Sequence, residues 1–355
     1  MDKIKRFQMA MPDTMEAAVF RDSANRFYLT GMRSSAGTVL ITKKHAWLII
    51  DFRYLEAAEK TVKNCMVIEE TSKYVQIRQL LREEGISSLS VHSGQTSVAE
   101  CRKMQEQMPE IRIDQTDALA DKMDLLRRNE DEDEINCHRK AQEITDQVFE
   151  HICGYIRPGL TETDVAREIG INLTAKGSDD KTFQFIVASG PNSSLPHGFA
   201  TNRVIQNGDF VTMDFGAVFG GYLADMTRTV AVGHVTEEQR KVYEIVNEAQ
   251  KRAFDRIYPG AVCRDVDAAA RKYIYDCGYQ GCFSHGLGHS VGVEVHENPR
   301  FNENCTDILT EGIVITVEPG IYLKGRFGVR IEDMIVIRKD GFENLTASSK
   351  DLIIL

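Results

Sequence analysis

The sequence predicts a small α/β domain followed by a larger α+β domain built as two similar halves. Three observations lead there. Short apolar runs alternate with helical patterns through the first third of the chain. Longer amphipathic stretches bracket strand-like runs in the remainder. That remainder also repeats itself. "IRPGLTETDV" (156–165) returns as "IYPGAVCRDV" (257–266), and "EI" at 143–144 returns at 244–245, all at one offset of 101 residues. A constant offset predicts two copies of one arrangement around a shared cleft.

In the first domain, "TVLIT" (38–42) and "AWLII" (46–50) flank a Lys-Lys-His turn and read as a hairpin. "RYLEAAEKTV" reads as a helix, and "SKYVQIRQLLREEG" as a better one that stops at glycine. "SSLSVH" follows as a strand and "SVAECRKMQEQM" as another helix. Trp47 is assigned to this domain's core. The domains are set at 1–122 and 123–355, with the boundary just before "RRNEDEDE" (127–134), which reads as the solvated start of a long helix ending near Ile156.

In the second domain each copy reads as a long helix, a Pro-Gly turn and a second helix. Thr236 with Gln239 gives the later copy a capping box. "FQFIVASG" (183–190) is strand-like and enters a loop ending at "PHG" (196–198). "DFVTMDFGAVFGGYLADMTRTVAV" (209–232) reads as a hairpin turning at Gly220-Gly221. "GIVITVEPGIY" (312–322) and "GVRIEDMIVI" (328–337) read as two further strands.

Composition is that of a globular protein, 42% hydrophobic and 27% charged. A net charge of -10 argues against nucleic acid or an anionic membrane as partner. The eight cysteines show no CxxC pair, so reduced thiols are expected. The first residues lack an apolar signal-like core and no run of about 18 apolar residues occurs, so a cytoplasmic protein is expected.

Chemistry enters with acids in apolar strands. If Gly220-Gly221 form the turn, Asp214 faces Thr227, and Asp225 lies two positions from that partner on the same face. The two carboxylates are then diagonal neighbours roughly 7–8 Å apart at the backbone. Glu318 and Glu332 sit in or beside similarly apolar runs. Taken singly, the aspartates fit a solvated face, and Glu332 could pair with Arg330. Taken together with "HGLGHSVGVEVHE" (285–297), four carboxylates and an imidazole form an oxygen-rich set suited to Mn²⁺, Co²⁺ or Zn²⁺ in a two-metal centre. The glycines at 286, 288 and 292 read as places where the backbone passes close to that site. His45, His92, His138, His151 and His234 read as surface or otherwise satisfied residues.

Asp214, Asp225, His289, Glu318 and Glu332, with "HGLGH", "VEPG" and "RIED" around them, resemble the pita-bread metallopeptidases. "IVASGPNSSLPHG" (186–198), "NRFYLTG" (25–31) and "DFRY" (51–54) are similar to the proline-specific branch, aminopeptidase P and Xaa-Pro dipeptidase. The resemblance covers almost the whole chain. It implies a creatinase-like amino-terminal domain, a pita-bread catalytic domain, and two-metal hydrolysis of the bond between an amino-terminal residue and proline. It implies two divalent ions, manganese first and cobalt or zinc as alternatives. Asp214 and Asp225 would hold one ion with Glu332, His289 and Glu318 would complete the other, and Glu332 would bridge both. Glu318 would also carry the proton. His197 and His296 would bond substrate or the developing oxyanion, and His285 and Arg330 would stand near the prolyl group or the bridging ligands. The implied partners are a small peptide with proline at its second position and a second copy of the chain, a homodimer. The other reading is a catalytically silent pita-bread binding module; such modules have typically lost ligands, and all five stand here.

Overall fold

The computed structural model describes residues 2–180 and 185–355. Met1–Arg127 and Arg128–Leu355 form two compact units. The boundary predicted after residue 122 falls inside a helix, Ala118–Arg128. That helix buries Leu119 and Met123, so the chain stays in the first unit for five residues longer.

The first unit contains helices α1 (Lys3–Ala10), α2 (Ser23–Thr30), α3 (Phe52–Thr61), α4 (Lys73–Glu83), α5 (Val98–Gln107) and α6 (Ala118–Arg128). Its strands are β1 (Ala17–Phe20), β2 (Thr38–Thr42), β3 (Ala46–Ile50), β4 (Met66–Glu69), β5 (Ser88–Val91) and β6 (Arg112–Asp114). They form one mixed sheet in the order β4-β3-β2-β1-β5-β6. The hairpin read from the sequence is β2–β3, antiparallel and closed by a 2.8 Å bond from the Thr42 amide to the His45 carbonyl. Trp47 is buried on β3. Side-chain caps set the helix starts: Asp51 accepts from the Arg53 amide at α3, and Ser97 from the Glu100 amide at α5.

The second unit opens with α7 (Glu132–Tyr155) and α8 (Glu162–Ala175), then strands β7 (Ile186–Ser189), β8 (Phe210–Phe215), β9 (Val218–Phe219), β10 (Tyr222–Leu223) and β11 (Met226–Ala231). The strand predicted to start at 183 has its first two residues outside the described ones. The second copy follows: α9 (Glu237–Phe254), α10 (Cys263–Asp276), and β12 (Gly288–Ser290), β13 (Glu297–Phe301), β14 (Val314–Val317), β15 (Gly320–Leu323), β16 (Phe327–Arg330), β17 (Asp333–Arg338) and β18 (Gly341–Asn344). Capping boxes start α7 (Asp131 with Glu134), α8 (Thr161 with Asp164) and α9 (Thr236 with Gln239).

The acidic run before α7 is not wholly solvated. The Glu130 carboxylate lies 3.0 Å from His138, a fully buried histidine whose other nitrogen meets the Leu223 carbonyl at 2.6 Å. Buried Glu134 accepts from the Tyr222 hydroxyl at 2.6 Å. These two acids turn inward because a buried imidazole and a buried phenol need partners.

The hairpin predicted at 209–232 and the strand pair predicted at 312–337 are both present, and each is broken beside its acids, at Asp225 and at Glu318 and Glu332. β8 pairs β11, with Asp214 opposite Thr227 as read from the sequence. β9 pairs β10 in the same register, and Gly220 and Gly221 turn with φ of 57° and 87°. Between these ladders lie Gly216-Ala217 and Ala224-Asp225. A Cβ on Gly216 would sit 1.7 Å from the Ala224 carbonyl oxygen, so only glycine lets the chains approach this closely. The later hairpin repeats the device. β14 pairs β17, β15 pairs β16 in continuing register, and Glu318-Pro319 and Ile331-Glu332 occupy the break. In each of the two, four strands therefore stand where the sequence reading has two.

Each helix pair packs on its own core. Val148, Phe149, Ile152, Val165 and Ile169 of α7 and α8 pack with Val211, Met213 and Phe215. Val242, Val246, Ala249, Val266 and Ile274 of α9 and α10 pack with Ile315, Val317, Ile335 and Ile337. The two interrupted hairpins thus lie between helical layers, and their breaks open on one cleft.

Candidate metal centre

The breaks carry three of the five predicted ligands, Asp225, Glu318 and Glu332. Asp225 precedes β11 and Glu332 precedes β17, and these two segments are adjacent: the Glu332 amide donates to the Thr227 carbonyl at 3.1 Å. His289 is on β12, whose neighbour β14 ends just before Glu318. Ligand atoms of Asp225, His289 and Glu332 all lie within 4.8 Å of one another, and all three residues are buried. Glu318 joins through His289, whose Nε2 lies 3.4 Å from Glu318 Oε1 and 3.7 Å from Asp225 Oδ2. Asp214 stands beside this cluster. Its Oδ2 accepts from Arg330 Nη2 at 2.6 Å, and its buried Oδ1 has no hydrogen-bond partner among the described residues.

Arg330 therefore pairs with Asp214 and not with Glu332, the partner that strand spacing suggested. It also donates through Nε to Thr227 Oγ1 (2.9 Å) and through Nη1 to Tyr322 Oη (2.9 Å) and the Pro196 carbonyl (3.0 Å). Thr227 Oγ1 in turn donates to Glu332 Oε2 at 2.6 Å. Behind them, the buried Arg228 donates to the carbonyls of Thr227 (3.0 Å) and Glu332 (2.5 Å) and pairs with Asp333 at 2.7 Å. The backbone bearing Glu332 is thus fixed from both sides.

Three features of the set fit divalent cations. First, burial, then the neighbouring Glu332, Asp214 and Glu318 charges, raise the Asp225 carboxyl well above the ordinary carboxylate range. Burial and the Glu332 charge do the same to Glu318. Glu332 is pushed up to about 8, by burial first and Asp214 next. Clustered acids of this kind need either protons or cations. Second, burial lowers His289 to about 3, so the ring is neutral at pH 7. Its Nδ1–H faces the Ser290 carbonyl at 3.2 Å, which leaves the Nε2 lone pair directed at two carboxylates. Third, Asp214 Oδ1 is an orphaned buried acceptor at the edge of the cluster. The donors are four carboxylates and one imidazole, with no thiolate.

All nine predicted site residues line one cleft of about 580 Å³, together with Ile186, Phe199, Val295, Arg300 and Phe301. The His296 ring packs edge-on against His289, centroids 4.3 Å apart. Burial also lowers His285 to about 3. Its Nδ1–H donates to the Gly286 carbonyl (2.8 Å), so its Nε2 accepts from Tyr322 Oη (2.9 Å). His197 sits on the loop after β7, exposed to the cleft. The glycines at 286, 288 and 292 do mark close approaches, but to the Phe301 carbonyl, the Thr316 carbonyl and the Glu297 carboxylate.

Three residues of the site, Arg300 in the cleft and Thr227 and Tyr322 behind it, carry no role in the sequence reading. Thr227 was named only as the partner facing Asp214. Tyr322 is the last residue of a stretch read as strand. Arg300 faces His289 across β12–β13, a pairing shaped by a bulge after His289, and nothing local in the sequence signals it.

A family model described as "Metallopeptidase family M24" matches residues 136–339. The chain belongs to this family. The Creatinase/Prolidase N-terminal domain model matches residues 3–126, so M24 catalytic and amino-terminal modules together account for most of the chain. Among M24 relatives, an Xaa-Pro dipeptidase of Pyrococcus horikoshii is 36% identical over 99% of both chains. The structure described as an Xaa-Pro dipeptidase from Bacillus anthracis superposes with TM-score 0.95 at 37% identity, covering 99% of each chain. That of an X-Pro aminopeptidase from Thermotoga maritima superposes with TM-score 0.91 at 31% identity, covering 99% of this chain and 100% of that one. The second unit has the pita-bread fold of M24 enzymes, and the protein is a metallopeptidase.

Proposed function

We propose that the protein is an Xaa-Pro dipeptidase, hydrolysing the bond between an amino-terminal residue and a carboxy-terminal proline. The observation that carries the dipeptide reading is Arg300. Of the two arginines lining the cleft, Arg330 is committed to Asp214, Thr227, Tyr322 and Pro196. Arg300 is exposed and has no ion pair among the described residues, directly across the strand pair from His289. A free guanidinium in a cleft is suited to a carboxylate. In Xaa-Pro that carboxylate belongs to the proline itself, whereas in a longer peptide it lies further away. The relatives named Xaa-Pro dipeptidase agree with this choice.

In this reading Asp214, Asp225 and Glu332 would hold one divalent ion, and His289, Glu318 and Glu332 the other. Manganese is the ion to test first. Bound there, two such ions supply Lewis acidity to the scissile carbonyl and to water. The chain's own side chains do the rest. Glu318 takes the proton of the attacking water and returns it to the prolyl nitrogen. His197 and His296 donate hydrogen bonds to the substrate as its carbonyl gains charge. An Xaa-Pro amide has no N–H, so pairing it as a strand fails, and the apolar Ile186, Phe199, Val295 and Phe301 offer its ring a surface instead. The same reading takes the protein as a cytoplasmic homodimer; light scattering in solution tests the dimer.

Assaying Gly-Pro beside Gly-Pro-Ala with Mn²⁺ tests the proposal. The dipeptide should be strongly preferred. Arg300→Ala should raise KM for Gly-Pro about 10- to 100-fold, the scale of one charge-assisted contact, with a smaller change in kcat. Equal turnover of the tripeptide by the wild type would move the assignment to an aminopeptidase P.

A further inference from the structure

Glu162 is fully buried, yet it is the first residue of α8, where acids are ordinarily solvated. Its carboxylate is saturated by two distant pieces of chain. Oε1 accepts from the Ser189 amide (2.6 Å), Ser189 Oγ (2.7 Å) and Asn192 Nδ2 (3.1 Å). Oε2 accepts from Asn192 Nδ2 (3.2 Å), the Thr201 amide (3.0 Å) and Thr201 Oγ1 (2.6 Å). Ser189 ends β7 and Thr201 closes the loop that follows. Between them stands His197.

The loop is otherwise held on the metal side. The Pro196 carbonyl accepts from Arg330 Nη1, and Ile186 bridges both Phe199 and Asp214. The Glu162 amide bonds the Arg203 carbonyl at 3.1 Å, and the Thr163 amide the Thr201 carbonyl at 3.0 Å. Arg203 then bonds Ser189 Oγ and Asp209, both at 2.6 Å. One carboxylate thus pins both ends of a loop whose middle faces the cleft. The other half repeats the device: fully buried Asp267 on α10 accepts from the Leu287 amide (3.0 Å) and pairs with Arg271, which donates to the His285 carbonyl (2.7 Å).

We propose that Glu162 is a positioning residue for His197, closing the 189–201 loop so that the imidazole meets the substrate in one geometry. The proposal rests on the reading that His197 contacts substrate. Glu162 touches no predicted metal ligand, so its effect should pass through the loop and leave metal binding alone. Glu162→Gln keeps the volume but turns an NH₂ group toward backbone N–H donors on one side.

The test is a double-mutant cycle with His197→Ala, read as kcat/KM for Gly-Pro, alongside calorimetric Mn²⁺ binding and amide exchange. Glu162→Gln should cost about 10- to 100-fold in kcat/KM, the usual scale for a misplaced group. Its Mn²⁺ stoichiometry and affinity should match the wild type, and the Ser189 and Thr201 amides should exchange faster. In the His197→Ala background it should cost little more. Costs that multiply in full, or Mn²⁺ affinity that falls in step with activity, would overturn the proposal. A His197→Ala enzyme as fast as wild type would instead remove the role of His197, and the proposal with it. If Glu162→Gln does not fold, Thr201→Val tests the same closure from the loop side and should give a smaller loss in the same direction.

Discussion

At the residue scale the centre is defined by unsatisfied charge. Asp225, Glu318 and Glu332 hold protons more tightly than free carboxyls because burial and one another oppose ionisation. His289 and His285 refuse protons for the same burial. The signs give a pH prediction for the metal-free protein. A carboxyl whose folded value is raised, Glu332 to about 8, stabilises the fold below its unfolded value, and that contribution is lost as pH rises toward 8. The lowered histidines work the other way: their contribution is lost as pH falls from their unfolded value toward about 3. Chelated wild type should therefore lose thermal stability relative to Glu332→Gln between pH 5 and 8, measured by calorimetry at matched ionic strength. Loading with Mn²⁺ should abolish that trend, because cations then replace the protons. A flat difference across this range would contradict the raised carboxyls. These candidate ligands were legible because acids stand out in apolar strands. Arg300 and Glu162 were not: an arginine before phenylalanine and a glutamate at a helix start are ordinary in sequence, and only tertiary pairing gives them meaning.

At the element scale the site depends on two interrupted hairpins. Register survives each break, so sequence spacing located Asp214 opposite Thr227 correctly. The breaks themselves were hidden, because a ladder that resumes in register leaves no mark on the alternation of side chains. Gly216 is their clearest cause in the first half. Gly216→Ala would drive a Cβ into the Ala224 carbonyl and part the chains beside Asp225. Denaturant unfolding should show a loss of about 1–3 kcal/mol, as for other overpacked sites, and Mn²⁺ should bind more weakly. Unchanged Mn²⁺ affinity in this variant would mean that the close crossing does not set the position of Asp225.

At the scale of the whole molecule, a faint repeat proves to be the plan of the catalytic unit. The offset of 101 residues aligned the Pro-Gly turns that join α7 to α8 and α9 to α10. Each half then contributes a helix pair, a core and an interrupted hairpin. The domain boundary was less legible, since α6 continues through it as one helix. Because the candidate ligands come from both halves, the proposed centre would exist only when the whole unit is folded. Titration of Mn²⁺ into chelator-stripped protein, followed by calorimetry, tests this most directly. The wild type should take up two ions per chain with release of protons at pH 7, and Asp225→Ala should lose at least one while staying folded. A wild type that binds no Mn²⁺, or an Asp225→Ala variant that binds it as the wild type does, would contradict the account.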